Sequence, residues 1–133
     1  EVWSVTSFTE LARDAREVSR WNRLHPSEAV RDSYLQECLP GDAPIIAATD
    51  YVRGLPQLIA EYVGADYTTL GTDGFGRSDT RAQLRRFFEV DRYHIVATAL
   101  SRLAVAGLVP SARVDAAIKQ YDLAAQSEPS WRS

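Results

Sequence analysis

The stretch that decides the fold is Pro44-Ile45-Ile46-Ala47-Ala48-Thr49, a continuous apolar run rather than an alternation of apolar and polar residues. Strands that are covered on both faces in a parallel sheet have this kind of sequence. A second β-prone run, Tyr-Thr-Thr-Leu at positions 67–70, follows about twenty residues later. Because a helical pattern lies between the two runs, the sequence predicts two parallel strands joined by a crossover helix.

The rest of the chain extends this alternation of strands and helices. We interpret residues 2–5, Val-Trp-Ser-Val, as a third strand of the sheet. Strands that alternate with helices favour an α/β fold: a three-layer, open, mainly parallel sheet with helices on both faces. Three strands are few for such a sheet, and Glu1 is not an ordinary start. We therefore expect that the sheet lacks its first βα unit, and that the apolar surface left uncovered favours self-association.

Capping and breaking signals place the helices. Ser7 with Glu10 forms a capping-box pattern that begins a helix, and His25-Pro26 ends it. A short second helix is predicted from apolar residues four apart, and Asp50 is predicted to cap a third helix that starts or kinks near its proline. Either Ser78 or Asp79 caps a fourth helix, and Asp91 caps a fifth that Gly107 closes. The apolar positions of the second, third and last helices are, in turn, Val30, Tyr34 and Cys38; Val52, Leu55, Leu58, Ile59 and Tyr62; and Val114, Ala117, Ile118 and Tyr121.

Composition bounds the function classes. The chain has 133 residues, of which 45% are hydrophobic and 25% charged. We therefore expect one packed domain over residues 1–123. The polar tail at 124–133 is expected to fray or to dock on a partner. A net charge of -3 disfavours nucleic acid, and no apolar run approaches the roughly 20 residues of a membrane helix. The single cysteine, Cys38, fits a cytoplasmic protein.

Five stretches of the sequence, in order, resemble one known family. They lie at 4–14, 20–26, 48–51, 70–81 and 88–91, and the most specific is Gly71-Thr72-Asp73-Gly74-Phe75-Gly76-Arg77-Ser78-Asp79. Together they resemble the C-terminal domain of the homodimeric bacterial pyruvate dehydrogenase decarboxylase, a domain of the transketolase type. The resemblance extends from residue 2 to about residue 121, which is nearly the whole chain.

This resemblance implies a parent enzyme and a limited role for the chain itself. Members of the family decarboxylate pyruvate on thiamine diphosphate with magnesium, and then acetylate the lipoyl group of an acyltransferase core. Their N-terminal and middle domains hold the cofactor, and none of those motifs falls in this sequence. The resemblance thus implies no catalytic, cofactor-binding or metal-binding residue here. It implies a domain that packs on the N-terminal and middle domains, supports a homodimer, reaches the acyltransferase core only indirectly and is inactive alone.

The loop at 71–79 is the one stretch with a candidate binding function. It follows a strand and opens onto a helix N-terminus, where free backbone N–H groups attract anions. Asp73 and Asp79 oppose a phosphate, and the lysine of a phosphate-binding loop is absent. We expect instead a shaped loop or interdomain contact in which Gly71, Gly74 or Gly76 has positive φ. The loop residues that would serve either role are Gly71, Asp73, Gly74, Gly76, Arg77, Ser78 and Asp79.

The remaining reactive side chains have simpler explanations. His25 is expected to make a structural hydrogen bond or domain contact, and His94 to lie on an exposed polar helix face. Cys38 is expected to be a buried, inert thiol. The three arginines Arg81, Arg85 and Arg86 favour a solvated or interdomain face. Two other functions stay open, namely a free-standing regulatory module that binds an anion or nucleotide, and the same domain from another thiamine enzyme of the transketolase group.

Overall fold

The computed structural model describes residues 1–123 and 128–132, and within them the chain mixes helices with a small parallel sheet. None of the helices in these ranges is long and apolar enough to cross a membrane. The elements are, in order, α1 (Phe8–Leu24), α2 (Tyr34–Cys38), β1 (Ile45–Ala48), α3 (Gly54–Gln57), a 3-10 turn (Ala60–Tyr62), β2 (Tyr67–Leu70), α4 (Arg81–Phe87), α5 (Arg92–Val105), α6 (Ser111–Gln120) and a second 3-10 turn (Ser130–Arg132).

The sheet consists of β1 and β2, which pair in parallel with Ile45 opposite Tyr67 and Ala48 opposite Leu70. This confirms the two central strands and their relative direction. The predicted strand at residues 2–5 is wrong, because that segment pairs with neither strand in the described chain. Val2 is fully exposed and the Trp3 side chain is about half exposed. A β-prone sequence favours extended backbone, but a strand also needs a neighbour for its backbone hydrogen bonds.

The apolar run at 44–49 is only partly covered. Ile45, Ile46 and Ala47 are half-buried and Ala48 is exposed, so full cover on both faces of β1 is not present within the described chain. On β2 the buried residue is Thr69. Helix α5 packs on β1, while α1 contacts α2 and α3. The best-buried apolar cluster lies on the α1–α2 side of the molecule and consists of Ala12, Leu35 and Ile59.

Helix α1 begins and ends where its signals predict. The Ser7 Oγ accepts a hydrogen bond from the Glu10 backbone N–H, at 3.2 Å, and so satisfies one of the free donors of the first turn. The helix ends at Leu24, with His25 at its C-cap just before Pro26. Ala12 and Ala15 are the buried residues of α1.

Helix α2 corrects the predicted stripe of Val30, Tyr34 and Cys38. Ser33 caps the helix through a complete capping box with Gln36, so Val30 lies before its start and is 81% exposed. Tyr34 is also exposed, and Leu35 is the buried residue. The buried position of α2 is thus Leu35, one residue after the predicted Tyr34. Cys38 is half-buried rather than buried, and a hydrogen bond between its side chain and that of Tyr34 raises the pKa of Tyr34.

The capping roles predicted for Asp50 and for Ser78 or Asp79 are also wrong. Helix α3 begins only at Gly54, so Asp50 lies outside it, and Pro56 is accommodated in the first turn. The backbone ahead of α4 places Thr80 at its N-cap, where the Thr80 Oγ1 accepts from the Gln83 N–H. Asp91 caps α5 as predicted. Gly107 has a φ of 74° just after that helix ends.

Of the apolar positions predicted for α3, Ile59 is buried. Two others, Val52 and Leu58, are exposed, because the helix is short and passes into the 3-10 turn at Ala60–Tyr62. The helical spacing that predicted one continuous face therefore breaks within this segment. In α6, by contrast, Ala117 is buried as its spacing predicts.

Candidate functional site: the loop after the second strand

The 71–79 loop leaves the carboxyl end of β2 and lies beside the segment that leaves β1. Parallel strands end at the same edge of a sheet, which brings the two exits together. The Thr49 N–H donates to the Leu70 carbonyl at 3.0 Å, and the Thr72 N–H donates to the Tyr51 carbonyl at 2.8 Å. The start of the loop is therefore an extension of the strand pairing.

Two loop glycines are required by the backbone, each for a different reason. A Cβ on Gly71 would lie 2.6 Å from the Arg53 backbone nitrogen, so Gly71 allows the two exits to approach closely. Gly74 has a φ of 110°, a conformation that side chains disfavour. The expectation that a loop glycine has positive φ is confirmed at Gly74. Gly76 has ordinary backbone and open space around its Cα.

Asp73 is tied to Arg53. Its Oδ1 accepts a hydrogen bond from the Arg53 backbone N–H at 2.9 Å, and its Oδ2 lies 2.9 Å from the Arg53 Nε. Both side chains are about one-third exposed. The carboxylate that would oppose a bound phosphate is thus paired within the chain, and it holds the exit of β1 against the loop.

The C-terminal residues also reach this loop. The Ser130 Oγ–H donates to the Asp73 carbonyl at 2.7 Å, and the Arg53 guanidinium carbon lies 5.1 Å from the centre of the Trp131 ring. Part of the predicted tail therefore docks on its own chain. Residues 124–127 and 133, for which fraying was also expected, lie outside the described residues.

A cleft of about 560 Å³ separates the rest of the loop from α4. Asp50 and Arg85 both line this cleft, and the Arg85 Nε donates to the Asp50 Oδ1 at 3.0 Å. The hydrogen bond from Arg85 holds the pKa of the Asp50 carboxyl below its ordinary value. The Arg77 guanidinium packs 4.4 Å above the Phe87 ring. The Asp79 Oδ1 accepts from the Thr80 N–H at 2.7 Å. The cleft thus brings together Arg77 and Asp79 with Asp50 and Arg85, two residues not included in the predicted site.

The family resemblance implies thiamine diphosphate and magnesium for the parent enzyme, and the carboxylates around this cleft are not arranged as ligands of that metal. Magnesium with a diphosphate needs several oxygen ligands that converge on one point. Across residues 1–123 and 128–132, no three His, Cys, Asp or Glu side chains come together as metal ligands. Asp50 and Asp73 are each paired with an arginine. Both carboxylates are therefore engaged in ion pairs within the chain.

Both histidines lie outside the cleft, and Arg86 makes its contacts elsewhere. The His25 Nδ1 is 2.8 Å from the Trp21 carbonyl oxygen, and its ring stacks on the Trp21 ring at 4.4 Å. The expectation of an exposed His94 is wrong: its side chain is 17% exposed, and its Nδ1 lies 2.8 Å from the Asp91 Oδ1. Arg86 is also engaged, because one of its nitrogens donates to the Tyr121 carbonyl at 3.0 Å.

Sequence reasoning missed three partners of the loop, Arg53, Ser130 and Trp131. Arg53 carried a usable signal, because it follows β1 and residues that follow neighbouring parallel strands meet at one edge. Ser130 carried none, since 57 residues separate it from Asp73 and its segment is polar and short.

The chain is similar to known proteins over most of its length. A family model described as the transketolase-like TK C-terminal domain matches residues 1–91. Proteins called pyruvate dehydrogenase E1 component are 50% identical in Pseudomonas aeruginosa, 49% in Cupriavidus necator and 48% in Escherichia coli. Each match covers 92% of this chain and 14% of the relative, so the chain spans about one-seventh of their length. This chain belongs to the transketolase-like C-terminal domain family.

Proposed function

We propose that this chain is the C-terminal assembly domain of a thiamine-diphosphate-dependent pyruvate dehydrogenase, and that it has no catalytic activity alone. The observation that carries the proposal is the way the 71–79 loop uses its polar groups. Asp73 binds Arg53 with its carboxylate and Ser130 with its carbonyl, while Phe75 at the loop tip is 81% exposed. A loop whose central carboxylate and carbonyl, both of Asp73, are engaged within the chain and whose aromatic tip is exposed suits a protein contact better than an anion.

Exposed apolar surface elsewhere supports the same role. The strands β1 and β2 are only partly covered, and large apolar side chains are exposed at Trp3, Val5 and Tyr34. These three residues line an apolar groove of about 430 Å³ between the N-terminal segment and α2. Surfaces of this kind commonly mark contacts between proteins or domains.

The finer features of the proposal concern the parent protein. In it, the N-terminal and middle domains hold thiamine diphosphate and magnesium, and this chain packs on them and supports the homodimer. The acyltransferase core is reached indirectly, and the protein works in the cytoplasm. The parent's domain has three layers, a sheet with helices on both faces, and strands outside this chain complete that sheet. Residues 1–123 form the domain and residues 124–133 its C-terminal tail. The names and the greater length of the relatives support the part of this proposal that makes the chain a segment of a larger pyruvate dehydrogenase.

Calorimetric titration tests the non-catalytic part of the proposal. Thiamine diphosphate with magnesium is titrated into the 133-residue chain, and inorganic phosphate and a nucleoside triphosphate are titrated in parallel. We expect no saturable heat, because Asp73 in the loop and Asp50 beside it are each paired with an arginine of the chain. A one-to-one thiamine diphosphate isotherm of micromolar affinity would contradict the proposal. Saturable binding of phosphate or nucleotide alone would favour a regulatory module, and Arg77→Ala would then locate the site in the 71–79 loop.

A further inference from the structure

The turn Ser130–Arg132, here called the C-terminal turn, rests on the middle of the 71–79 loop. Ser130 is 7% exposed, and its Oγ–H donates to the Asp73 carbonyl at 2.7 Å. A buried hydroxyl that bonds a loop carbonyl holds that carbonyl in one orientation, because breaking the bond underneath the turn leaves a polar group unsatisfied. The first contact therefore fixes the peptide between Asp73 and Gly74.

Gly74 makes the second contact. A Cβ on Gly74 would lie 2.6 Å from the Ser130 carbonyl oxygen and 3.1 Å from the Trp131 Cα. Both are backbone atoms, which do not move aside as the end of a flexible side chain does. The loop backbone and the C-terminal turn therefore pack together so closely that a side chain at Gly74 and the turn exclude each other.

Arg53 joins the turn to the loop from the other side. Its guanidinium lies over the Trp131 ring, 5.1 Å from the ring centre and within the range of a cation–π contact. Its backbone N–H donates to the Asp73 Oδ1 at 2.9 Å, and its Nε lies 2.9 Å from the Asp73 Oδ2. Asp73, Arg53, Trp131 and Ser130 thus form a closed ring of contacts, in which loss of one contact weakens the others.

We infer that the C-terminal turn is a strap that holds the 71–79 loop in its contact-forming shape. Phe75 follows Gly74 directly, so the direction of the exposed loop tip depends on the strap. Displacement of the C-terminal turn would release the loop tip at Phe75. The C-terminal turn would thereby control the surface that the loop offers to other domains. This control deepens the proposed function and rests on it, whereas the coupling between turn and loop is a property of the chain alone.

Amide hydrogen exchange, followed by NMR on the full 133-residue chain, tests the strap. The reporters are the Asp73 N–H, which donates to the Gly71 carbonyl, and the Arg53 N–H, which donates to the Asp73 carboxylate. Ser130→Ala should speed their exchange by about fivefold to tenfold, since it removes one hydrogen bond to a loop carbonyl. The α5 amides should be unaffected. Ser27→Ala, at an exposed serine, is the matched control. Unchanged exchange at Asp73 and Arg53 would overturn the inference.

The coupling is also tested from the loop side, because energetic coupling between two sites is reciprocal. Gly74→Ala should displace the turn and move the Trp131 indole resonance to its random-coil position. Gly41→Ala is the control for backbone strain, because Gly41 also has positive φ, 96°, but nothing lies within 4 Å of its Cβ position. An indole resonance that stays in place in Gly74→Ala would overturn the strap. Since both experiments use the chain alone, they can succeed or fail independently of the assembly role.

Discussion

Asp91 holds His94 by two hydrogen bonds to one oxygen atom. Its Oδ1 accepts from the His94 backbone N–H at 2.9 Å and lies 2.8 Å from the His94 Nδ1. The same oxygen accepts from the Tyr93 N–H at 3.0 Å, so one carboxylate satisfies two of the free backbone donors at the start of α5. Burial raises the pKa of Asp91, but the hydrogen bonds from His94 and the charge of Arg86 outweigh burial, so the pKa lies below its ordinary value.

Asp91→Ala should therefore lower the free energy of unfolding by about 1–2 kcal/mol at neutral pH, the typical contribution of an N-cap. A carboxyl whose pKa is lowered by folding stabilises the protein above its unfolded pKa, and this contribution is lost as the pH falls through the folded pKa. The difference between the two proteins should thus shrink below about pH 4. Urea unfolding at several pH values measures it, with the exposed Asp115→Ala as the charge control. A difference that stays constant at low pH would contradict the capping role.

The burial of the Tyr67 hydroxyl leads us to predict a loss of protein stability in alkaline solution. The hydroxyl donates to the Pro56 carbonyl at 2.8 Å, and burial raises its pKa to about 12. In the unfolded chain the hydroxyl ionises near its ordinary pKa of 10.0, so folding keeps the proton bound. Stability should therefore fall as the pH rises from about 10 to about 12. Tyr67→Phe should cost about 1 kcal/mol at neutral pH and remove part of this alkaline slope. An identical slope in both proteins would contradict the assignment.

A side chain at Gly71 should cause a steric clash that a side chain at Gly76, in the same loop, does not cause. A Cβ at position 71 would meet the Arg53 backbone, whereas a Cβ at position 76 would meet nothing within 4 Å. Gly71→Ala should lower the free energy of unfolding by about 1–3 kcal/mol, as overpacking does elsewhere. Gly76→Ala, at ordinary φ, should have little effect or stabilise slightly. Equal effects in chemical denaturation would show that the exits of β1 and β2 do not pack as described.

The local parts of the fold and the parallel pairing of β1 with β2 were predictable, whereas the other long-range contacts were not. The two strands and the Ser7 and Asp91 caps depend on neighbouring residues, so the sequence carries their signals. Residues 2–5 look like a strand, but strand formation also depends on a partner elsewhere in the chain. Asp50 looks like a helix cap because local chemistry permits it. Its actual partner is Arg85, 35 residues away, and no local signal distinguishes the two outcomes.

The same distinction applies to the candidate site. The glycine pattern at 71–79 predicted a shaped loop, and the φ of Gly74 agrees with it. The pattern contained no information on which segments shape the loop. The pairing of β1 with β2 brings Arg53 beside the loop, and the C-terminal turn brings Ser130 into contact with it. The loop was therefore recognisable from sequence, while the contacts that satisfy its polar groups depend on tertiary packing.

A chimera tests the assembly role most directly. This chain replaces the matching C-terminal segment of the Pseudomonas aeruginosa relative, to which it is 50% identical. Pyruvate decarboxylation and molecular mass are measured for the unmodified relative, the chimera and a variant that lacks the segment. We predict that the chimera keeps the mass and, within about tenfold, the activity of the unmodified relative, while the deletion loses about a hundredfold or more because its site is less well ordered. A deletion variant with full activity and unchanged assembly would contradict the account, as would a folded chimera that neither assembles nor turns over pyruvate.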